Sequence, residues 1–266
     1  MLRERVYRAI VAVGGIAFLL FWFINPAFSK DEVTQGLIKS LISHALGSVV
    51  FISLMFFLRY RIWSRFSAKH LIVLLPALAV AVNNFPIIGL ATGDAWITRW
   101  DLLPLAVLDC ILIGVFEEFA FRGTLFLAIL EKHRKTKKQV VLTTLVSSAL
   151  FGLVHLANLL EGAGFLPTLM QVGYSFLIGG MCTIVLLKTG NLIYSILLHA
   201  VYDLGGNLLQ IGGGARWDTV TVILTVLIGL VVSAVMIAVL LKIDPMETEK
   251  FYKMKEGKIS DEHDQN

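Results

Sequence analysis

Runs of eighteen or more apolar residues recur along this chain, and they constrain its fold more than any other feature. A segment of that length crosses a hydrocarbon core of roughly 30 Å as one helix. Inside lipid only helices and closed barrels satisfy every backbone polar group. The short alternating segments of a membrane barrel are absent from the sequence. The fold class that follows is all-α, a polytopic helical bundle. Charged residues make up 16% of the 266, against about a quarter in a soluble domain.

Eight spans are predicted, near 8–27, 37–58, 70–91, 102–130, 139–158, 167–187, 191–210 and 218–242. Residues 1–243 form one transmembrane domain, and the charge-rich stretch 244–266 reads as a disordered polar tail. Gly212, Gly213 and Gly214 read as a turn. The basic N-terminus and the apolar run after it read as a retained first span, because the run exceeds a signal h-region. Cys110 and Cys182 lie inside apolar runs, with neither metal spacing nor a disulfide framework.

The basic residues sort by side. Arg3, Arg5 and Arg8, the connections after spans two, four and six, and the tail place 18 basic residues on one side. Lys30, Lys39, Arg99 and Arg216 are the 4 on the other. The positive-inside rule then puts both termini in the cytoplasm. Trp22, Trp96, Trp100 and Trp217 fall near predicted interfaces, and Trp63 in a cytoplasmic connection. The net charge of +4 belongs to this asymmetry, so no nucleic-acid partner is expected. The basic run 132–138 is also expected to attract anionic membrane lipid.

Several ionisable residues violate the apolar pattern. Glu117, Glu118 and Arg122 lie inside the fourth span, in Phe116-Glu117-Glu118-Phe119-Ala120-Phe121-Arg122-Gly123. Ionisable groups at membrane depth are costly and usually functional. In an ordinary helix Glu118 and Arg122 stand four apart and share a face, acid first. Glu117 is turned about 100° away, which leaves it free for acid–base chemistry. His155 ends Phe151-Gly152-Leu153-Val154-His155 on the fifth span. His199 and Asp203, again four apart, lie on the seventh. Three separate spans thus deliver ionisable groups to similar depth. His44, Asn83, Asn84 and Asp109 also lie in or near spans and read as structural.

These residues resemble the CPBP family of intramembrane proteases, which includes CAAX prenyl endopeptidases and bacteriocin-immunity and abortive-infection (Abi) proteins. The family pattern is E-E-x-x-x-R, then F-x-x-x-H, then H-x-x-x-N/D. Here it is matched by Glu117-Glu118…Arg122, Phe151…His155 and His199…Asp203, within a core near 100–210. The resemblance implies that Glu117 activates a water with help from His155. It implies that His199 and Asp203 stabilise the oxyanion, and that Glu118 and Arg122 hold the architecture. The family more often carries Asn where this chain has Asp203. An ionised carboxylate cannot donate a hydrogen bond, so Asp203 must be protonated or must orient His199.

Glu117, His155 and His199 would equally serve as a catalytic zinc shell with one position open for water, and the metal-free and zinc mechanisms both stand at this point. The expected function is an intramembrane endopeptidase acting on a membrane-associated or hydrophobic peptide or protein, lipidated or not. Prenyl-protein processing, peptide maturation and bacteriocin immunity all fit. A proton-coupled transporter and a non-catalytic immunity or scaffold protein are the alternatives. By family frequency the resemblance implies a multi-pass protein of a bacterial cell membrane.

Overall fold

The computed structural model describes residues 2–24, 26–215 and 218–252. It is an all-α membrane bundle. Its helices are α1 (Leu2–Ile24), α2 (Glu32–Leu58), α3 (Ala68–Asn83), α4 (Ile87–Thr92), α5 (Leu103–Glu118), α6 (Leu127–Lys132), α7 (Lys137–Val154), α8 (Phe165–Thr189), α9 (Leu192–Asn207) and α10 (Thr219–Leu241). Each of the eight expected spans meets one of these helices. Among the described residues, five helical stretches are long and apolar enough to cross a membrane by themselves. Of the rest, α3 is short, with Pro76 inside it, and the fourth span is interrupted, as described below. The lipid-facing character is plainest in α10, where Leu230 and Val231 are exposed.

The chain divides into two compact units. The first comprises Met1–Leu58, Leu78–Ala120 and Ile196–Val232; the second comprises Arg59–Ala77, Phe121–Ser195 and Ser233–Asn266. In the first unit α2 packs on α1 and α5. One end of this unit carries a polar layer. Arg99 pairs with Asp31 at 3.1 Å and with Asp101 at 2.9 Å. Thr34 and Arg99 together hold the Asp31 carboxyl down at about 2. A short antiparallel pair, β1 (Ala95–Ile97) and β2 (Gly212–Gly214), closes the same end. The expectation of a turn at 212–214 is therefore corrected. The three glycines form a strand because a Cβ at Gly212 or Gly214 would strike the β1 backbone. Trp96 and Trp100 lie in this layer and are exposed, while Arg216 and Trp217 lie outside the described residues.

In the second unit α7 packs on α8. Gly152 makes this possible, since a Cβ there would come within 2.7 Å of the Val172 carbonyl. This unit also carries a polar layer. Tyr60 donates to Glu131 (2.8 Å), Arg134 to Glu249 (2.9 Å), and the Arg61 amide to the Phe251 carbonyl (2.9 Å). The connections that follow α2, α6 and α10 thus meet in one layer.

The last of those connections corrects the tail. Residues 244–252 are folded, although the sequence reads as disordered from 244. Asp244 caps a 3₁₀ turn over Pro245–Phe251 through a reciprocal box with Glu247. Phe251 and Tyr252 are then buried, and the Tyr252 hydroxyl donates to the Leu127 carbonyl at 2.9 Å. Two aromatic anchors outweigh the surrounding charge, which faces its own partners. The remainder of the tail and the side chains of Arg3, Arg5, Arg8 and Trp22 lie outside the described residues.

Candidate active site

The first unit brings together Glu117, Glu118, His199 and Asp203. The approach of α9 to α5 depends on Gly114, where a Cβ would stand 3.0 Å from the Ile196 carbonyl and 3.3 Å from the Ala200 amide. One turn further along α5, Glu118 meets His199. Its Oε1 lies 2.7 Å from His199 Nδ1, and both residues are buried. Glu117 approaches the same ring from the other nitrogen, with Oε2 3.4 Å from Nε2. Asp203, one turn along α9, also stands 3.4 Å from Nε2. One imidazole is therefore held by Glu118 and overlooked by two further carboxylates.

The two glutamates differ in access. The Glu118 side chain is fully enclosed, whereas the Glu117 and Asp203 side chains each retain 19% exposure. An acid that meets water directly must be one of the latter pair. Phe116 seats this stretch of α5 against α2, packing beside His44 and Phe51. Gly47 leaves room for its ring. His44 Nδ1 lies 3.6 Å from Asp109 Oδ1 and 3.1 Å from Ser40 Oγ. Asn83 donates to Thr225 and Asn84 to the Tyr202 carbonyl, both at 2.7 Å. These side chains make local contacts in the first unit, in keeping with the structural reading.

The second unit holds Arg122, Phe151 and His155. The Arg122 guanidinium lies 4.2 Å over the Phe151 ring. Gly179 permits this, since a Cβ there would sit 2.8 Å from both Arg122 and Phe151. Phe151 also contacts Phe121 and His155 edge-on. The Phe151 carbonyl accepts a 2.9 Å hydrogen bond from His155 Nδ1. A carbonyl can only accept, so Nδ1 of His155 carries the proton and a neutral ring presents Nε2 as a base or ligand.

Two features were not legible as motifs. The sequence reads as regular α-helix through the fourth span, but Phe119–Phe126 winds as π-helix between α5 and α6. Such segments are rare and concentrate at functional sites. The bond from Glu118 to His199 was also missed, because it joins residues 81 positions apart.

Residues 99–205 match the family model described as type II CAAX prenyl endopeptidase Rce1-like. The match is consistent with the resemblance to CPBP family proteases. All of Glu117, Glu118, Arg122, Phe151, His155, His199 and Asp203 fall inside the matched segment. No curated protein and no solved structure gives a match to the chain.

Proposed function

We propose that the chain is an intramembrane endopeptidase that hydrolyses a peptide bond near the end of a lipidated, membrane-associated peptide or protein. The observation that carries this reading is one buried histidine addressed by three carboxylates, two of them partly open. Glu117 takes a proton from water, and the water oxygen attacks the scissile carbonyl carbon. The oxyanion that forms accepts a hydrogen bond from His199 Nε2. Glu118 occupies Nδ1 at 2.7 Å, so His199 donates from Nε2 only as the doubly protonated ring. Asp203 orients that ring. The carbon–nitrogen bond then breaks as Glu117 passes its proton to the leaving amine. His155, fixed by the Phe151 carbonyl, assists as a base through Nε2.

Two of the expected zinc donors, Glu117 and His199, are spaced as zinc ligands. Both histidines have Nδ1 hydrogen-bonded and offer Nε2, as metal-ligating imidazoles do. His199 Nε2 and Glu117 Oε2 stand 3.4 Å apart, about the spacing of two ligands at roughly 2.0–2.2 Å in a tetrahedral shell. Glu117 and His199 would hold the metal, with His155 the third ligand that the family resemblance implies, and the metal would supply a Lewis acid for the carbonyl and a more acidic bound water.

The test uses purified protein in liposomes with a farnesylated peptide, its products read by mass spectrometry. Cleavage by the wild type and its loss in Glu117→Gln, His155→Ala and His199→Ala support the reading. Unchanged cleavage in all three variants refutes it. Activity that survives chelation in a metal-depleted sample removes the zinc. Activity that is lost and then restored by zinc assigns it.

A further inference from the structure

Apart from the candidate catalytic residues, the second unit contains a cleft of about 160 Å³ lined by Arg61, Trp63, Ser64, Gly190 and Lys250. We propose that this cleft binds the phosphate headgroup of an anionic membrane phospholipid. The proposal is independent of the proteolytic reading.

The walls are firmly built. Ser64 Oγ donates to the Thr189 carbonyl at 2.7 Å, and Asn191 returns a bond to the Ser64 carbonyl at 2.9 Å. The Arg61 amide is tied to the Phe251 carbonyl. Lys250 Nζ donates to the Leu187 and Lys188 carbonyls at 2.6 and 3.3 Å, closing the end of α8. Gly190 has φ +66, and a Cβ there would press on the Lys250 stem at 3.3 Å. The folded C-terminal turn supplies one wall, so a disordered tail would have left no cleft.

The lining is cationic and lacks a carboxylate. The nearest acid on the turn, Glu247, is engaged by Lys188 at 2.9 Å. Among the described residues Arg61 forms no ion pair, and its side chain is exposed. The Lys250 ammonium uses two of its three protons on carbonyls. Burial pushes it down to about 8, so it lacks full compensation for its charge. A water occupies about 30 Å³ of liquid volume. The cleft therefore has room for a phosphate and its ester oxygens, but not for a folded peptide segment.

Position selects a lipid as the source. Residues 59–67 join α2 to α3, two membrane helices, and so lie where the chain leaves the hydrocarbon. Trp63 is 42% and Phe66 72% exposed on that connection. Exposed aromatic rings beside basic residues are the signature of the headgroup region. Acyl chains would lie along these rings while the phosphate enters between Arg61 and Lys250.

The test is native mass spectrometry of the full chain released from nanodiscs of phosphatidylcholine with phosphatidylglycerol. Wild type is expected to retain phosphatidylglycerol over phosphatidylcholine. Arg61→Gln should lower that retention about fivefold, the equivalent of about 1 kcal/mol per basic residue. Arg65→Gln, on the same connection but outside the cleft lining, should leave it unchanged. Equal losses in the two variants would reduce the site to diffuse basic attraction, and an absence of preference in wild type would remove it. Lys250→Gln is judged only if its melting temperature matches wild type, and it should then behave as Arg61→Gln. Stabilisation of detergent-solubilised wild type by inorganic phosphate, equal to that by phosphatidylglycerol and lost in Arg61→Gln, would overturn the lipid assignment in favour of free phosphate.

Discussion

Gly114 is the position where a single methyl group tests how the site is assembled. The added Cβ of Gly114→Ala would stand 3.0 Å from the Ile196 carbonyl and 3.3 Å from the Ala200 amide. Relief to ordinary contact requires α5 and α9 to part by roughly 0.4 Å at this crossing. Glu118 lies one turn along, so the 2.7 Å bond to His199 should lengthen by a similar amount. A 1 Å misplacement costs about 10²-fold in rate. On a logarithmic scale a 0.4 Å shift then costs about sixfold. The overpacking itself should cost about 1 kcal/mol, the low end of its range. Gly114→Val adds methyls with no freedom to turn away and should remove activity and lower the melting temperature further. Both variants are measured for unfolding in detergent and for peptide cleavage in liposomes. A Gly114→Val protein that melts and cleaves like wild type would refute the claim that this contact sets the site.

Other outcomes follow from the same structure. Phe251→Ala should cost about 3–5 kcal/mol, because the ring is fully buried; a disordered tail would lose nothing in a melting experiment. Arg59 has φ +61 as the chain turns out of α2, so Arg59→Gly should stabilise by up to about 1 kcal/mol, the relief of left-handed strain less the added entropy of glycine in the unfolded chain, read in the same melt. Lys250 has its pKa lowered from 10.5 to about 8 by burial. The unfolded chain then binds more protons between those values, so this group's contribution to stability should rise from pH 8 to 10.5. Lys250→Met should flatten that rise in melts across the window. Gly179→Leu should displace Arg122 and Phe151 from each other and abolish folding or activity, whereas Gly173→Ala, in open space on the same helix, should be neutral in expression and cleavage.

Much of the bundle was readable because lipid enforces one rule, that apolar runs of sufficient length become helices. The spacing of Glu117, Glu118, His155, His199 and Asp203 was readable for a related reason, since ionisable groups stand out in apolar helices. What escaped depends on contacts distant in sequence or on local winding. The π segment at 119–126 has no compositional mark that distinguishes it from α-helix. Glu118 was read against its neighbour in sequence, yet in the fold it holds a histidine on α9. The folded stretch 244–252 was hidden because its charges dominate composition, while its order comes from Phe251, Tyr252 and the cap at Asp244. The three glycines before α10 carry a turn signature, and only the partner strand reveals why side chains are excluded there.

The most direct measurement is the product spectrum from a farnesylated peptide incubated in liposomes with wild type or with Glu117→Gln, the two proteins matched in amount and melting temperature. The account predicts one defined new peptide terminus with wild type and none with Glu117→Gln. The same terminus at the same rate from both proteins would contradict it.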